Sequence, residues 1–302
     1  MRILITGSSG LLARHLMPRL RAASHEVVRL LRPEGSSVVD FAAIRPDLDS
    51  TDPQPDLDGF DAVINLAGSN IGRRWTKNVR EEVVRSRVEY TAKLCRALAR
   101  VAHPPARFLS ASGIGYYGYD KTGQILTESS PPGTGFVVDV CRQWEDATRH
   151  LPPQTSITIM RIAPVLAVDG PVLGKLTPLF RKGLGGVMSH GRQVMAWIAL
   201  PDFLRAVEFL VAQPADAVTG PFNVCAPNPI TNREFTRALA KSLHRPAFFR
   251  VPKLALKLAF GQMATETVLA DQRAIPQRLL DSGFTFTVPT VETTLSTLTP
   301  TP

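Results

Sequence analysis

The sequence has few cysteines and no long hydrophobic run. Its 302 residues include three cysteines, Cys95, Cys141 and Cys225, which are widely spaced and odd in number. This pattern excludes a disulfide framework and a cysteine-based metal site, so we interpret all three as small buried residues. No apolar stretch is long enough to cross a bilayer, and Ile3–Ile5 is too short for the apolar core of a signal peptide. These absences predict a cytoplasmic protein with no membrane partner and no bound metal.

Nucleic-acid-binding motifs are also missing, although the formal net charge is +9. Between Arg73 and Arg107, ten Lys and Arg residues stand against three Glu residues. The cations are distributed around a predicted helix, and no helix-turn-helix, zinc finger or aromatic-basic motif accompanies them. We interpret this stretch as a solvated helix face with a few contacts to cofactor phosphates, and we predict no nucleic-acid partner.

A glycine-rich turn stands at the beginning of the chain. Ile3–Ile5 is predicted to be a buried strand, and a helix is predicted over Leu11–Ala23. The first glycine permits a sharp turn, the second lets a phosphate approach the backbone, and Ala13 lets the helix pack closely. The helix N-terminus offers free N–H groups and a positive dipole end to a pyrophosphate, although an ordinary α/β turn is the alternative. The candidate cofactor residues here are Gly7, Ser9, Gly10, Leu11 and Leu12.

Strands and helices alternate along the first half of the chain. Further strands are predicted at Glu26–Leu31, Asp61–Ala67, Arg107–Ser112, Ile157–Ile162 and Phe222–Cys225. Further helices are predicted at Thr76–Ala102, Gly135–His150, Pro201–Ala212, Pro252–Phe260 and Thr231–Leu243, the last with a capping box of Thr231 and Glu234. The segment Thr287–Pro302, rich in threonine and proline, is predicted to fray.

This alternation predicts an α/β fold, a Rossmann-type doubly wound parallel sheet with a smaller C-terminal substrate lobe. Ligands of such sheets bind at the carboxyl ends of the strands. We place the dinucleotide-binding domain at residues 1–165, with residues 195–228 returning to it. The substrate lobe then covers residues 166–302.

The end of the second strand indicates the type of cofactor. An NAD-preferring fold places an acidic residue there, to bind the ribose 2′-hydroxyl. Here the strand is followed by Arg32 and Pro33, and the first acid is Glu34. Because arginine pairs bidentately with a phosphate, we predict NADP(H) with Arg32 as the 2′-phosphate ligand. A surface role for Arg32 is the alternative, and Arg29 is the second choice of ligand.

Together these segments resemble an extended-type short-chain dehydrogenase/reductase. More narrowly, the chain resembles the atypical NAD(P)-dependent epimerase/dehydratase-like family, also called cell-division-inhibitor-like, over nearly its whole length. The tail from about Val251 resembles that family's C-terminal domain, whose role is unknown. The segments that carry the resemblance are Ile5–Gly10, Asp61–Gly68, Arg74–Thr76, Ser86-Arg87, Ser110–Gly118, Trp144-Glu145, Phe180–Gly186, Gly191–Gln193, Trp197-Ile198, Thr231-Asn232 and Gln272–Ala274.

The resemblance implies further cofactor contacts. It places Leu66, Ala67 and Gly68 against the adenosine end of the cofactor, Glu82 and Arg87 toward the cofactor cleft, and Val165 near the nicotinamide. The alternatives are that Leu66, Ala67 and Val165 belong to the core, and that Glu82 and Arg87 pair with each other.

The catalytic Tyr and Lys of this superfamily are missing. A tyrosine normally exchanges a proton with the substrate oxygen, assisted by a lysine four residues later and a nearby serine. Counted from Trp144-Glu145, the expected positions hold Val137 and Cys141. Ser112 or Ser110 supplies the serine at the end of its strand, and Ser110 is also a candidate cofactor contact. Tyr116 and Tyr117 are the candidates to replace the missing tyrosine, the alternative being that they only wall the pocket.

Two segments depart from the family pattern where substrate is expected. Trp197-Ile-Ala199-Leu-Pro201-Asp202 lacks the His and the first Asp of Trp-Ile-His-Ile-Asp-Asp, and Pro164 removes a backbone donor near the nicotinamide. We therefore hypothesise an NADP(H)-binding, epimerase-like oxidoreductase of an unknown small-molecule substrate, as a monomer or homodimer. The alternative hypothesis is a non-catalytic NADP(H)-sensing regulatory protein, with the link to cell division that the family name suggests.

Overall fold

A seven-stranded parallel sheet forms the centre of the computed structural model, which describes residues 1–31 and 41–298. The sheet order is β12-β7-β5-β4-β1-β2-β3, so the predicted doubly wound α/β fold is confirmed. The strands are β1 (Arg2–Thr6), β2 (Glu26–Leu30), β3 (Ala43–Ile44), β4 (Ala62–Asn65), β5 (Arg107–Gly113), β6 (Asp120–Leu126), β7 (Ser156–Ile162), β8 (Val165–Leu166), β9 (Gly186–Met188), β10 (Val194–Met195), β11 (Ile198–Ala199), β12 (Gly220–Val224), β13 (Ile230–Thr231), β14 (Phe249–Val251) and β15 (Asp271–Ala274).

Helices cover both faces of the sheet. In β1 the side chains alternate, so that Ile3 and Ile5 pack with the helices Leu11–Ala22 and Leu200–Ala212, while Leu4 packs with the helix Tyr90–Leu98 on the other face. The helices are α1 (Leu11–Ala22), α2 (Lys77–Val84), α3 (Tyr90–Leu98), α4 (Phe136–Asp146), α5 (Pro171–Arg181), α6 (Leu200–Ala212), α7 (Asn232–Ser242), α8 (Lys253–Phe260), α9 (Gln277–Asp281) and α10 (Val291–Leu298). The edge strand β12 pairs with β7, which brings part of residues 195–228 back to the sheet.

The long basic helix is interrupted by a π-helical turn. Residues Arg85–Glu89 form this turn between α2 and α3, and α3 ends at Leu98. The helix predicted over Thr76–Ala102 is therefore found as α2, the π-turn and α3 in succession, and it ends at Leu98 instead of Ala102. A π-turn adds one residue to a helical turn and is frequent at functional sites. Here it contains Ser86 and Arg87, both of which bond to the loop that follows β4.

The C-terminal lobe consists of helices and two-stranded pairings around a separate core. That core contains Trp197, Phe235 and Leu239, and Val291 and Leu295 of α10 pack into it. The prediction that Thr287–Pro302 frays is therefore wrong for Val291–Leu298. Val291 and Leu295 stand four residues apart, on one helix face. The segment before α10 is fixed by the buried Asp202 carboxylate, which accepts hydrogen bonds from the backbone N–H groups of residues 287 and 288.

Candidate active site

The glycine turn contacts the loop that follows β4, at the carboxyl edge of the sheet. Gly7 has φ +66°, and a Cβ on it would lie 2.5 Å from the Leu66 carbonyl oxygen and 2.9 Å from the Ala67 nitrogen. Only glycine combines this backbone conformation with so close an approach. The Gly10 N–H donates to the Gly7 carbonyl (2.8 Å), which closes the turn. The structure thus brings Gly7, Gly10, Leu66 and Ala67 together.

The N-terminus of α1 has no capping side chain. Gly10 is its N-cap residue, and its first turn contains no acidic residue. Ser9 and Gly10 are exposed, Leu11 and Leu12 are half-buried, and Ala13 is buried against the sheet. The first N–H groups of a helix have no partner within the helix, and here no side chain caps them. This end of α1 is suited to an anion such as a pyrophosphate.

A buried polar chain supports these two loops from behind. The Thr6 hydroxyl donates to the Asn65 side-chain oxygen (2.6 Å), and the Asn65 amide donates to the Thr91 hydroxyl (2.9 Å). The Trp144 indole N–H donates to the same hydroxyl (3.0 Å). Ser110 is fully buried, with its hydroxyl 3.5 Å from the Asn65 amide. The hydroxyl of Ser110 therefore belongs to this support.

Arg87 lies beside Gly68 as a half-buried cation. Its guanidinium donates to the Ser69 carbonyl (2.9 Å), and a Cβ on Gly68 would lie 3.1 Å from its Cζ. Burial holds the pKa of Arg87 below its usual value. Glu82 pairs with Arg73, and no carboxylate of the described residues lies within ion-pair distance of Arg87. Glu82 therefore makes its ion-pair contact with Arg73 and reaches Arg87 only as a longer-range attraction.

Ser112 lies at the end of β5 and bonds to a buried ion pair. Its hydroxyl donates to Glu145 Oε1 (2.7 Å), and the Arg161 Nε and Nη2 atoms donate to the two oxygens of the same carboxylate (3.0 and 2.9 Å). The two side chains are only 5% and 15% exposed. The hydrogen bonds and charge of Glu145 outweigh desolvation and hold the pKa of Arg161 above its usual value. Sequence reasoning identified Ser112 but gave Glu145 and Arg161 no role.

The two neighbouring tyrosines have different surroundings. Tyr117 is fully buried, and its hydroxyl donates to Asn223 Oδ1 (2.6 Å) and accepts from Arg161 Nη1 (3.2 Å). Burial raises the pKa of Tyr117 to about 12. Tyr116 is half-buried, and the Arg161 guanidinium lies 3.5 Å from the centre of its ring. The Tyr116 hydroxyl makes no hydrogen bond to a described residue and is not enclosed.

The positions of the missing Tyr and Lys form part of an apolar wall. Val137 and Cys141 are buried in a cluster with Trp75 and Met263, against which Tyr116 also packs. Burial raises the pKa of the Cys141 thiol to about 11, so this thiol is protonated at neutral pH. Neither residue can exchange protons as the missing pair would.

The C-terminal region fixes two elements of this wall. The buried Glu266 carboxylate accepts the backbone N–H of Val137 (2.9 Å), at the start of α4. The Gln272 amide donates to the carbonyls of Ile114 (3.2 Å) and Gly118, on either side of the two tyrosines. No sequence signal identified Glu266 for this role, because its partner is 129 residues away.

Two of the residues predicted to contact the cofactor, Val165 and Arg32, remain to be located. Val165 is half-buried and pairs with Ile198 in a short parallel ladder. Arg32 lies outside the described residues.

Within 1–31 and 41–298, no cluster of three or more His, Cys, Asp or Glu side chains is arranged to hold a metal ion. In the same ranges, each helix is too short or too polar to cross a membrane.

Comparison with models of protein families shows to which family the chain belongs. The pattern of the NAD dependent epimerase/dehydratase family matches residues 3–225, and that of a domain of unknown function, DUF1731, matches residues 251–298. The chain belongs to the NAD dependent epimerase/dehydratase family. The resemblance stated from the sequence, including that of the tail, is thereby confirmed.

Relatives of this family member match almost its whole length. Epimerase family protein Mb2239 of Mycobacterium bovis is 40% identical over 290 residues, which cover 94% of this chain and 93% of the relative. The human epimerase family protein SDR39U1 is 32% identical over 293 residues, 96% of each chain. A crystal structure of human SDR39U1 (isoform 2) with NADPH superposes with a TM-score of 0.89 at 31% identity, covering 99% of each chain.

Proposed function

We propose that this family member is an NADP(H)-binding, epimerase-like oxidoreductase of a small-molecule substrate. The contact between Gly7 and the Leu66-Ala67 peptide carries the proposal, because it joins the two loops that would hold a dinucleotide. The uncapped N-terminus of α1 opens beside that contact and suits the pyrophosphate. The desolvated Arg87, next to Gly68, adds a cation for an anionic group of the cofactor.

The preference for NADP(H) is supported by the second strand. β2 ends at Leu30, and the sequence continues as Leu31, Arg32 and Pro33 without an acidic residue. A carboxylate there would repel a 2′-phosphate, whereas Arg32 would pair with it. Arg29 is buried in β2, and its Nε has no hydrogen-bond partner among the described residues, so it stays the second candidate. The human relative was solved with NADPH.

The substrate side would be served by Tyr116 and Ser112. A bound nicotinamide cofactor supplies or accepts a hydride. Tyr116 is the proposed proton carrier, because its hydroxyl bonds to no described residue and is not enclosed, while that of Tyr117 is buried and bonded. Glu145 fixes both the Ser112 hydroxyl and Arg161, against which the Tyr116 ring lies. We give Tyr117 a supporting role within this network.

Titration of the purified protein with NADPH and NADH tests the cofactor proposal. We expect micromolar NADPH binding and weaker NADH binding, followed by cofactor fluorescence. Arg32→Ala should lower the NADPH affinity by a factor of about 10 to 100, as loss of a charge-assisted pair of about 1.5–3 kcal/mol requires, without changing the NADH affinity. Arg142→Ala, on the exposed face of α4, is the matched control. Equal affinity for the two cofactors would contradict the preference, and no binding of either would contradict the function.

A non-catalytic NADP(H)-sensing protein is the second candidate. It is favoured by the apolar side chains of Val137 and Cys141 at the positions of the missing pair. Oxidation of bound NADPH in the presence of a carbonyl or nucleotide-sugar library, abolished by Tyr116→Phe, would decide for the oxidoreductase. NADPH binding without turnover across the library would favour the sensor. Neither the structure nor the comparisons support a link to cell division.

A further inference from the structure

Two segments of the C-terminal lobe carry basic residues and no acidic ones. Residues 170–201 and 235–265 contain ten Lys and Arg residues and no Asp or Glu. The two segments are therefore net +10, whereas the rest of the chain, which includes the basic stretch from Arg73 to Arg107, holds the other 25 cations against all 26 acids. None of the ten cations forms an ion pair with a carboxylate of the described residues.

Exposed apolar side chains are concentrated in the same two segments. Of the eleven large hydrophobic residues that are exposed among the described residues, seven lie there: Leu179, Leu184, Phe248, Phe249, Leu254, Leu258 and Phe260. Single exposed apolar residues are normal on a protein, but a contiguous group indicates a binding surface.

The fold joins the two segments into one surface. β14 pairs with β9 in parallel, with Phe249 opposite Gly186, and Pro252 leads directly from β14 into α8. We call the exposed side chains of residues 179–186 and 245–260 the apolar–basic surface. Its cations are Arg181, Lys182, Arg245, Arg250, Lys253 and Lys257.

Helix α8 is almost entirely exposed, which is unusual for a short helix. Only Leu256 of its eight residues is buried, whereas Leu254 and Leu258 are 67% and 68% exposed. The exposed pair stands four residues apart, so both side chains project from one face of the helix. A short helix gains most of its stability from packing such a face against something. The face of Leu254 and Leu258 has no partner within the described chain.

The charge of the surface identifies what covers it. In a symmetric pair of chains, each copy would bring the same cations against those of the other, which opposes association. The phosphates of a nucleic acid would match the positive charge, but a nucleic acid has no extended apolar region in which Leu254 and Leu258 could be buried. An anionic bilayer matches both features, because its headgroups attract Lys and Arg while Leu and Phe enter the boundary with the acyl chains.

We propose that the apolar–basic surface binds the protein peripherally to anionic lipid membranes. The prediction of no membrane partner depended on the absence of a segment that could span a bilayer. Surface binding does not need such a segment, since an amphipathic face is sufficient. The proposal is independent of the cofactor and of the substrate.

Flotation of the full-length protein with vesicles tests this proposal. We expect it to bind vesicles of phosphatidylcholine with phosphatidylglycerol, to bind phosphatidylcholine alone much more weakly, and to dissociate as salt is raised. Leu254→Ser combined with Leu258→Ser should weaken binding at least about tenfold. Lys253→Gln combined with Lys257→Gln should weaken it about thirtyfold. Ile125→Ser and Lys77→Gln, on other exposed surfaces, are the matched controls and should bind as the parent does.

The other outcomes overturn the proposal. If neither kind of vesicle is bound, or both equally, the surface is not specific for anionic lipid. A second outcome is that the protein binds no vesicles but sediments as a dimer, and that Leu254→Ser combined with Leu258→Ser dissociates this dimer. The surface would then be an interface with a second copy of the chain. Binding of RNA instead of vesicles would give it to a nucleic acid. NADPH affinity and melting temperature, measured on every variant, separate a failed surface from a failed cofactor site or a misfolded chain.

Discussion

The proposed cofactor side of the cleft and its proposed substrate side are built from different parts of the chain. On the cofactor side, backbone groups make the contacts: Gly7 lies against the Leu66-Ala67 peptide, and α1 offers its N-terminus. On the substrate side, buried side chains from distant segments meet, as in the bonds of Ser112 and Arg161 with Glu145. Backbone sites leave a local pattern of small residues, whereas a side-chain network leaves none.

This difference also separates what the chain shares with its superfamily from what it does not. The glycine turn keeps its spacing, while Val137 and Cys141 stand where a tyrosine and a lysine would exchange protons. In their place the substrate side has a bidentate ion pair that touches both Ser112 and the ring of Tyr116. The cofactor side therefore identifies the family, and the substrate side is where a particular chemistry would have to be found.

Breaking the substrate-side network should have the largest effect. Arg161→Met leaves the Glu145 carboxylate buried without its cation and removes one hydrogen bond from Tyr117. We expect the free energy of unfolding to fall by about 3–5 kcal/mol, as for other buried pairs that lose one partner. Urea denaturation measures this change. Arg149→Met, in an exposed pair with Asp146, is the control and should cost less than about 1 kcal/mol. Equal losses in the two variants would mean that the buried network contributes no special stability.

Breaking the backbone contact of the cofactor side should come next. In Gly7→Ala the new Cβ would meet the Leu66 peptide in a backbone conformation that alanine disfavours. We expect a loss of about 3 kcal/mol in stability from strain and overpacking, together with loss of NADPH binding. Gly123→Ala separates the two causes, because Gly123 has φ +75° but open space around it. Gly123→Ala should show the smaller strain alone and normal NADPH binding. Similar NADPH affinities in both variants would refute the role of the contact.

The parts of the fold that follow local rules could be predicted from the sequence. The strand–turn–helix at Gly7 and the capping box of Thr231 and Glu234 both form, because neighbouring residues satisfy each other. The alternation of strands and helices likewise sufficed for the parallel sheet. Local composition failed at the tail, where threonines and prolines suggested fraying but Val291 and Leu295 have a core to enter.

The parts that depend on long-range pairs could not be predicted. The Glu145 carboxylate of α4 pairs with Arg161 of β7, 16 residues later. The Glu266 carboxylate accepts the backbone N–H of Val137, 129 residues earlier. The π-turn at Arg85–Glu89 could not be predicted either, because its side chains Ser86 and Arg87 bond to Ser69, which lies 17 and 18 residues earlier in the chain. The sequence predicts the same position in the cleft for Tyr116 and Tyr117, because nothing in it indicates which of the two hydroxyls is buried.

The ionisation of Tyr117 should have the smallest effect and sharpens the contrast between the tyrosines. A tyrosine in the unfolded chain ionises near pH 10, whereas burial raises the pKa of Tyr117 to about 12. Between about pH 10 and about pH 12 the unfolded state has released more protons than the folded state. The contribution of Tyr117 to the free energy of unfolding is therefore fully present below about pH 10 and is lost as the pH rises toward about 12. The loss should reach roughly 2 kcal/mol, measured by urea denaturation at alkaline pH.

Tyr117→Phe removes this alkaline dependence and also costs about 1–2 kcal/mol at neutral pH, because Asn223 and Arg161 lose their shared partner. Tyr116→Phe should keep the Tyr117-dependent slope, since the Tyr116 hydroxyl bonds to no described residue. If Tyr117→Phe retained the full alkaline slope, the buried hydroxyl would not be its source. The distinction between a supporting Tyr117 and a chemically available Tyr116 would then lose its electrostatic basis.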